Sequence, residues 1–224
     1  MTLDEHPDRE MLMLSLADRL AGELGAALRR RNRASLAVPG GSTPGPLFDA
    51  LAAVDLDWAR VDVVPTDERW VDETSPRSNA RLIRERLLTG RAANASLVPL
   101  HAGGAQPEGR LDAVAARVGA LMPLSVLLLG MGADGSIASL VPGAEGLEAA
   151  LAPGAPAVVP LRLEDRGEPR VNLSARVLRG ALSAHLLITG AEKRATAERA
   201  ARARDPRTMP AALIVNEATV HWAE

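Results

Sequence analysis

The sequence has no cysteine and few aromatic residues: three tryptophans, one phenylalanine and no tyrosine among 224 residues. Without cysteine the chain forms neither disulfides nor thiolate metal sites, which fits a reducing cytoplasm. The scarcity of aromatic rings argues against the stacking surfaces that bind single-stranded nucleic acid. A formal net charge of only −2 gives no general attraction to DNA or to anionic membranes. We therefore expect a cytoplasmic protein without nucleic-acid or membrane partners.

Signals for export and membrane insertion are also missing. No apolar run approaches the roughly 20 residues of a membrane-spanning helix, and the acidic first eight residues lack the basic start and apolar core of a signal peptide. The chain contains no internal repeat and no low-complexity linker. Its apolar residues, mostly Ala, Leu and Val, are numerous enough for a core. We predict one soluble domain spanning residues 1–224.

Strand-like and helix-like segments alternate along the chain. Buried-strand patterns occur at residues 34–38, 61–64, 98–100, 126–129, 157–161, 170–174, 184–188 and 212–215. Helical patterns occur at residues 8–31, 45–54, 110–121 and 191–204, and a further helix follows a cap at Ser75-Pro76. This alternation predicts an α/β fold with an open, mostly parallel sheet and helices on both faces.

The stretch from Ser125 to Gly143 has the strongest local signal. A buried strand leads into three glycines and Asp134, followed by a predicted short helix at 137–140; such turns let backbone amides approach a ligand. Gly130-x-Gly132-x-x-Gly135 also matches a dinucleotide fingerprint. That fingerprint needs a longer helix and an acidic residue at the end of the next strand. Here Pro142 stops the predicted helix early, and the next apolar run, residues 155–161, has no acidic residue at its end. A purely structural turn remains an alternative.

The loop at 39–44 predicts a phosphate or carboxylate site. Its glycine amides, two hydroxyls and the helix that follows are the groups that bind such anions, and Ser42 and Thr43 are good N-cap residues. It is not a Walker loop, because no Gly-Lys-Ser/Thr follows. A turn and helix cap without any ligand is the alternative.

Charged side chains follow two other predicted strands. Asp67 and Arg69 come after the strand at 61–64, and Lys193 lies at a helix start, where a cation is unfavourable unless an anion is near. Arg77 is predicted in the first turn of another helix, where a nearby anion is expected for the same reason. A surface ion cluster is the alternative for Asp67 and Arg69. Because parallel strands end at one edge, these groups and Asp134 together predict a sugar-phosphate site.

Five segments, in order and with plausible spacing over about residues 35–222, resemble the 6-phosphogluconolactonase family. They are Pro-Gly-Gly-Ser-Thr-Pro (39–44), Thr-Asp-Glu-Arg-Trp-Val (66–71) with Ser78-Asn79, Leu-Gly-Met-Gly-Ala-Asp-Gly (129–135), Arg-Val-Asn-Leu-Ser (170–174) and Thr-Gly-Ala-Glu-Lys (189–193). The resemblance implies a Rossmann-like fold related to glucosamine-6-phosphate deaminase and ribose-5-phosphate isomerase. It also implies hydrolysis of 6-phospho-D-glucono-1,5-lactone, a carboxylic ester, in the pentose phosphate pathway, without metal or organic cofactor.

The resemblance also implies roles for individual residues. Asp67 and Arg69 would line the reacting end, with Asp134 and Ser136 as the further catalytic candidates. The substrate would be bound by Gly40, Gly41, Ser42, Thr43, Arg69, Arg77, Asn79, Gly132, Arg170 and Lys193. We expect a monomer or a weak homodimer.

One departure from the family pattern concerns the chemistry. The residue after Asp-Gly is normally histidine, taken as the base that activates water, and here it is Ser136. A neutral imidazole accepts a proton at pH 7, whereas a serine hydroxyl needs a base of its own. Three accounts stay open. Asp134 or Asp67 acts as the base in a weakened enzyme, a histidine from elsewhere (His101, His185 or His221) reaches the site, or Ser136 is an acyl nucleophile without the usual flanking glycines.

Two rival functions remain at this point. A non-catalytic sugar-phosphate binder would keep the pocket and lose the chemistry. A glucosamine-6-phosphate deaminase-like enzyme would share the fold, although the segments at 39–43 and 67–69 favour a lactonase.

Overall fold

The computed structural model describes residues 1–163 and 167–224, and this part of the chain forms a parallel sheet flanked by helices. The strands are β1 Thr2–Glu5, β2 Ala34–Val38, β3 Val61–Pro65, β4 Asp67–Arg69, β5 Ser96–Leu97, β6 Val126–Gly130, β7 Val158–Leu161, β8 Arg170–Leu173, β9 Ala184–Thr189 and β10 Thr219–Ala223. The α-helices are α1 Arg9–Arg30, α2 Gly45–Ala52, α3 Asn79–Arg86, α4 Leu111–Gly119, α5 Leu147–Leu151, α6 Ala175–Arg179 and α7 Ala191–Arg202.

Seven strands form the main sheet in the order β1-β10-β9-β6-β2-β3-β5. Every pairing in it is parallel, which confirms the predicted fold class. The chain builds outward from β2 through β3 to β5, then restarts on its other side with β6, β9 and β10. The sheet therefore has a topological switch point between β2 and β6, the place where open α/β sheets bind ligands.

Two apolar layers cover the faces of this sheet. In β2, Leu36 and Val38 pack with α1, α2 and α3, whereas Ala37 belongs to the layer that contains residues of α4 to α7. This division follows from the period-two alternation of side chains along a strand. The predicted leucine stripe of the first helix is confirmed, since Leu12, Leu16, Leu20, Leu24 and Leu28 are all buried. None of the helices in the described residues combines the length and apolar character needed to cross a bilayer.

A second, three-stranded antiparallel sheet was not predicted. Its order is β4-β8-β7, and β4 follows directly after β3 of the main sheet. The register pairs Asp67 with Asn172 and Arg69 with Arg170. This small sheet therefore brings residues that are about a hundred positions apart to the carboxyl end of β3.

Several predicted elements are corrected by the structure. Residues 137–140 are not helical, because Ala138 has a left-handed φ of 49° and Ile137 bridges both Met131 and Leu140. Residues 212–215 contain no strand, since a 3₁₀-helix runs over Pro210–Leu213. The helix expected from Ser75-Pro76 begins at Asn79, and the strand expected at 98–100 is the shorter β5.

Two strands near the chain ends were also missed. The N-terminal residues form β1, which pairs with β10, and β10 lies where only a tail was expected. β1 is only partly buried, and β10 has Thr219 and His221 among its apolar residues. Their sequences consequently lack the continuous apolar runs that identified the central strands.

Candidate active site

An open cleft of about 310 Å³ lies at the carboxyl ends of β9, β6, β2 and β3, which are four neighbouring strands of the main sheet. Of the predicted site residues, all but two line it: Gly40, Gly41, Ser42, Thr43, Asp67, Arg69, Asn79, Gly132, Ser136, Arg170 and Lys193. Asp134 is held directly behind Ser136, and Arg77 lies elsewhere. The convergence expected from the strand order is therefore present for most of the set.

The loop after β2 presents unused donors to the cleft. The N-cap of α2 is Pro44 with no side-chain hydrogen bond, so the predicted capping by Ser42 and Thr43 is wrong. Within the described residues, neither hydroxyl nor the amides of 41–43 donate to a protein acceptor. Gly41 has a φ of 90°, which only glycine adopts without strain. These groups stay available for an anionic ligand.

Asn79 joins this loop to the second sheet. Its side-chain amide donates to the Asp67 carbonyl over 2.7 Å, and its Oδ1 accepts from Arg69 Nη1 over 3.2 Å. A Cβ on Gly40 would lie 1.9 Å from Asn79 Oδ1, so only glycine fits there. The loop and the charged residues of β4 are thereby held in one arrangement.

Three cations and one carboxylate line the cleft: Arg69, Arg170, Lys193 and Asp67. Arg69 and Arg170 are directly opposite each other in the antiparallel pair β4–β8, a like-charge pairing that is destabilising unless an anion offsets it. Arg69 Nε is buried and has no partner among the described residues. Lys193 lies in the first turn of α7, where a cation opposes the helix dipole. All three positions favour a bound anion.

Asp67 is a buried carboxylate with several protein partners. It accepts hydrogen bonds from Ser139 Oγ and from Thr66 Oγ1, the latter over 3.3 Å. Arg170 Nη1 lies 3.7 Å from its Oδ2 and donates to Ser139 Oγ over 3.2 Å. The Ser139 amide in turn donates to Asn172 Oδ1 over 2.7 Å. Asp67 is therefore fixed in a network that orients Arg170.

Ser136 and Asp134 form a pair at the glycine turn. Ser136 Oγ donates to Asp134 Oδ1 over 2.6 Å, and the Ser136 amide donates to the same oxygen over 3.0 Å. Ser136 lines the cleft, whereas Asp134 is exposed beside it. Because the Asp134 carboxylate can take the hydroxyl proton of Ser136, Ser136 Oγ can in turn take a proton from a water molecule in the cleft.

Glu68 is a buried carboxyl to which the sequence assigned no role. It accepts hydrogen bonds from the amides of Arg69, Asn79 and Ala80 and from Ser78 Oγ, at 2.7–3.1 Å. Burial raises the pKa of Glu68, and these four hydrogen bonds oppose that rise. The carboxyl fastens the start of α3 to β4. Ser139 and Asn172 were likewise missed as site-forming residues, although Asn172 stands inside a family-like segment.

Arg77 does not line the cleft. It precedes α3, whose N-cap is Ser78, so the predicted position in the first helical turn is wrong. Its Nη2 donates to Glu168 over 2.6 Å, and the side chain is 56 % exposed. Only its backbone serves the site, because the Arg77 carbonyl accepts from Arg69 Nη1 over 2.7 Å.

None of the four histidines lines the cleft. His101 packs edge-on against Trp70, and His185 and His221 contact each other within the main sheet. The account in which a distant histidine replaces the family base is therefore wrong for this arrangement of the chain.

The chain is similar to known proteins over its whole length. The family model described as glucosamine-6-phosphate isomerases/6-phosphogluconolactonase matches residues 7–222. A 6-phosphogluconolactonase of Rhizobium meliloti is 38% identical over 229 residues, covering 100% of this chain and 98% of the relative. One of Mesorhizobium japonicum is 40% identical over 194 residues, covering 84% and 80%. A 6-phosphogluconolactonase crystal structure from Shewanella baltica superposes with a TM-score of 0.96 at 31% identity, covering 100% of this chain and 98% of the other.

Proposed function

The chain belongs to the family of glucosamine-6-phosphate isomerases and 6-phosphogluconolactonases, and from this premise we propose that it hydrolyses 6-phospho-D-glucono-1,5-lactone to 6-phospho-D-gluconate in the pentose phosphate pathway. One observation carries the residue-level proposal. A single cleft joins an anion-binding loop and three cations to a paired serine and aspartate. The first set suits the phosphate, and the second suits the lactone carbonyl.

The phosphate end is assigned to the loop at 40–43 and to Lys193. Among the described lining residues three cations stand against one carboxylate, so the lining is positively charged and suits a phosphorylated substrate. Free amides and hydroxyls at a helix start supply the directional hydrogen bonds. Arg69 and Arg170, fixed by β4 and β8, then hold the carboxylate that forms on hydrolysis or the ring oxygens beside it.

The water-activating step is assigned to Asp134 acting with Ser136. Water attacks the lactone carbonyl carbon and loses a proton to this pair. The bond between that carbon and the ring oxygen then breaks, and a proton returns to the departing hydroxyl. Asp67 is buried and holds Arg170 in place together with Ser139, so we assign it a positioning role rather than the role of base. A carboxylate is a weaker base than imidazole, so the reaction is slower than with histidine.

A lactonase assay with three forms of the protein tests this proposal. The wild type should hydrolyse the lactone faster than the uncatalysed background. Ser136→His should gain about 10²-fold or more, because general-base catalysis typically contributes ~10²–10⁴-fold. Asp134→Asn should lose most of the wild-type rate.

Ser96→His is the matched control, since Ser96 is an exposed serine on the far edge strand β5. It adds the same imidazole away from the cleft and should leave the rate unchanged. Fast hydrolysis by the wild type with no gain from Ser136→His would mean that the base is misassigned.

A non-catalytic sugar-phosphate binder is the second candidate, because Ser136 occupies the position where the family normally has its base. Calorimetry with 6-phosphogluconate separates the two functions. Binding of this product with no hydrolysis above background supports the binder, whereas binding with turnover supports the enzyme. Ammonia release from glucosamine 6-phosphate would instead reveal a deaminase.

The place of action and the assembly belong to the same proposal. The substrate is a sugar phosphate of central metabolism, which puts the enzyme in the cytoplasm. For the assembly we propose a monomer or a weak homodimer. Size-exclusion chromatography across a range of protein concentrations tests the assembly.

A further inference from the structure

A cluster of histidine and carboxylate side chains lies between β1 and β10, outside the candidate active site. Asp4 on β1 is the register partner of His221 on β10. His6 follows Asp4 by two residues, which places both side chains on the same side of the extended chain, and its amide donates to the Trp222 carbonyl over 2.9 Å. Asp4 Oδ2 lies 3.2 Å from His221 Nδ1 and 3.6 Å from His6 Nε2.

Both imidazole nitrogens that face Asp4 are buried and lack hydrogen-bond partners among the described residues. The His221 side chain is 1 % exposed and that of His6 is 10 % exposed. Leaving such polar atoms unsatisfied is costly. Asp4 is 41 % exposed, so an ion can reach the cluster from solvent.

A chain of hydrogen bonds fixes the state of His221. Its Nε2 lies 3.0 Å from His185 Nδ1, and His185 Nε2 lies 2.8 Å from Glu23 Oε2 on α1. Burial acts to raise the pKa of Glu23, but hydrogen bonds from His185 and Ser183 outweigh it and lower the pKa. The Glu23 carboxylate accepts a hydrogen bond from His185 Nε2–H, and a neutral His185 then accepts at Nδ1 the hydrogen bond from His221 Nε2–H.

This direction leaves the lone pair of His221 Nδ1 facing the Asp4 carboxylate. In this tautomer two electron-rich atoms lie 3.2 Å apart, and a cation bound by both would offset their repulsion. A neutral imidazole nitrogen with a free lone pair is the form of histidine that binds metals.

We propose that Asp4 Oδ2, His6 Nε2 and His221 Nδ1 bind one Zn²⁺ ion, with water completing a tetrahedron. Metal–ligand bonds of about 2.0–2.1 Å give tetrahedral edges of about 3.3 Å between ligand atoms, and Asp4 Oδ2 lies 3.2 and 3.6 Å from the two imidazole nitrogens. All three ligand atoms lie within 4.8 Å of one another. Two imidazoles and one carboxylate suit Zn²⁺, whereas Ca²⁺ and Mg²⁺ prefer oxygen ligands only.

The surroundings fit such an ion. His185 and Glu23 form the hydrogen-bonded relay behind a ligating histidine that is typical of zinc sites. Arg19 is the cation nearby, and its charge is offset by Glu23, with which it pairs over 3.5 Å. The role of the ion is structural: β1 is an edge strand that, within the described residues, pairs with β10 alone, and the metal fastens β1 to β10.

The test uses the full chain without an affinity tag, stripped of metal by a chelator and titrated with Zn²⁺ in a calorimeter. The wild type should bind one ion per chain, and Co²⁺ in its place should give the visible absorption of a tetrahedral site. His6→Ala and Asp4→Asn should each lose this binding. Glu23→Gln keeps all three ligands and should weaken Zn²⁺ by about 10–100-fold, the usual effect of losing a partner behind a ligand.

His101→Ala is the matched control, because His101 lies at Trp70, away from the cluster, and it should bind Zn²⁺ like the wild type. Circular dichroism establishes that each variant is folded. Asp4→Asn keeps the shape of a partly exposed side chain, so it reports on ligation rather than on folding. No Zn²⁺ binding by the wild type, or equal binding by wild type, His6→Ala and Asp4→Asn, overturns the proposal.

Discussion

Lys193 is the residue whose position is hardest to explain without a ligand. It lies in the first turn of α7, where a cation is unfavourable, and it has no ion-pair or hydrogen-bond partner within the described chain. A charged hydrogen bond to phosphate contributes about 1.5–3 kcal/mol, which corresponds to roughly 10–150-fold. We therefore predict that Lys193→Met raises KM for the phosphorylated lactone by about that factor. Steady-state kinetics measures it.

The neighbouring cation supplies the control for this prediction. Arg194 pairs with Glu5 and stacks over Trp222, and it does not line the cleft. Arg194→Met should leave KM nearly unchanged. A second control is unphosphorylated glucono-1,5-lactone, whose turnover should not respond to Lys193→Met. An equal loss with both substrates would show that Lys193 does not bind the phosphate.

Single residues differed in how far the sequence revealed them. Gly40 to Thr43, Asp67, Arg69, Ser136 and Lys193 stand in compact segments at predicted strand ends, so a local pattern was sufficient. Ser139, Asn172 and Glu68 act only through contacts made by folding. Ser139 bonds to residues 33 and 72 positions away, and no local signal gives that distance. The proposed zinc ligands Asp4, His6 and His221 could not be found from the sequence for the same reason, because Asp4 and His221 are more than 200 residues apart in the chain.

Among the secondary-structure elements, α3 depends on one buried carboxyl. Glu68 accepts hydrogen bonds from two amides at the start of α3 and from its N-cap hydroxyl. In Glu68→Gln an NH₂ group would face two of the donors. Leaving them unsatisfied costs about 1–3 kcal/mol, and we predict that loss in the free energy of unfolding. Urea denaturation measures it.

Glu85→Gln is the control for this element. Glu85 lies on the same helix, is exposed, and pairs with Arg81 over 2.7 Å, an interaction that contributes little to stability. It should change the unfolding free energy by less than about 0.5 kcal/mol. Equal losses in the two variants would contradict the anchoring role of Glu68.

Long or continuously apolar elements were predictable, and short ones were not. The leucine stripe of α1 has a clear helical period, and β2, β6 and β9 are continuous apolar runs bounded by turn residues. Strand β4 has three residues, Asp67–Arg69, all charged. Its extended form comes from pairing with β8 rather than from its own propensity, as β-structure often does. Ala138 was placed in a helix because its sequence does not reveal its positive φ.

At the scale of the whole molecule, the cleft arises where two sheets meet. The main sheet supplies the loop after β2 and the glycine turn after β6, on either side of its switch point. The small sheet brings Asp67, Arg69 and Arg170 to the same edge. The parallel arrangement alone predicted the convergence of strand ends. The opposed arginines required the second sheet, which no periodicity indicated.

Because both sheets contribute to the cleft, ligand binding should stabilise the entire fold. At 100 times its Kd, 6-phosphogluconate should add about 2.7 kcal/mol to the unfolding free energy, which raises Tm by roughly 5–10 °C for a domain of this size. Scanning calorimetry measures the shift. Gluconate, which lacks the phosphate, should give little. Ser136→His should retain the shift and Lys193→Met should lose about half of it or more at the same concentration, since the first residue acts on water and the second binds phosphate. Full retention by Lys193→Met would place the phosphate elsewhere in the cleft.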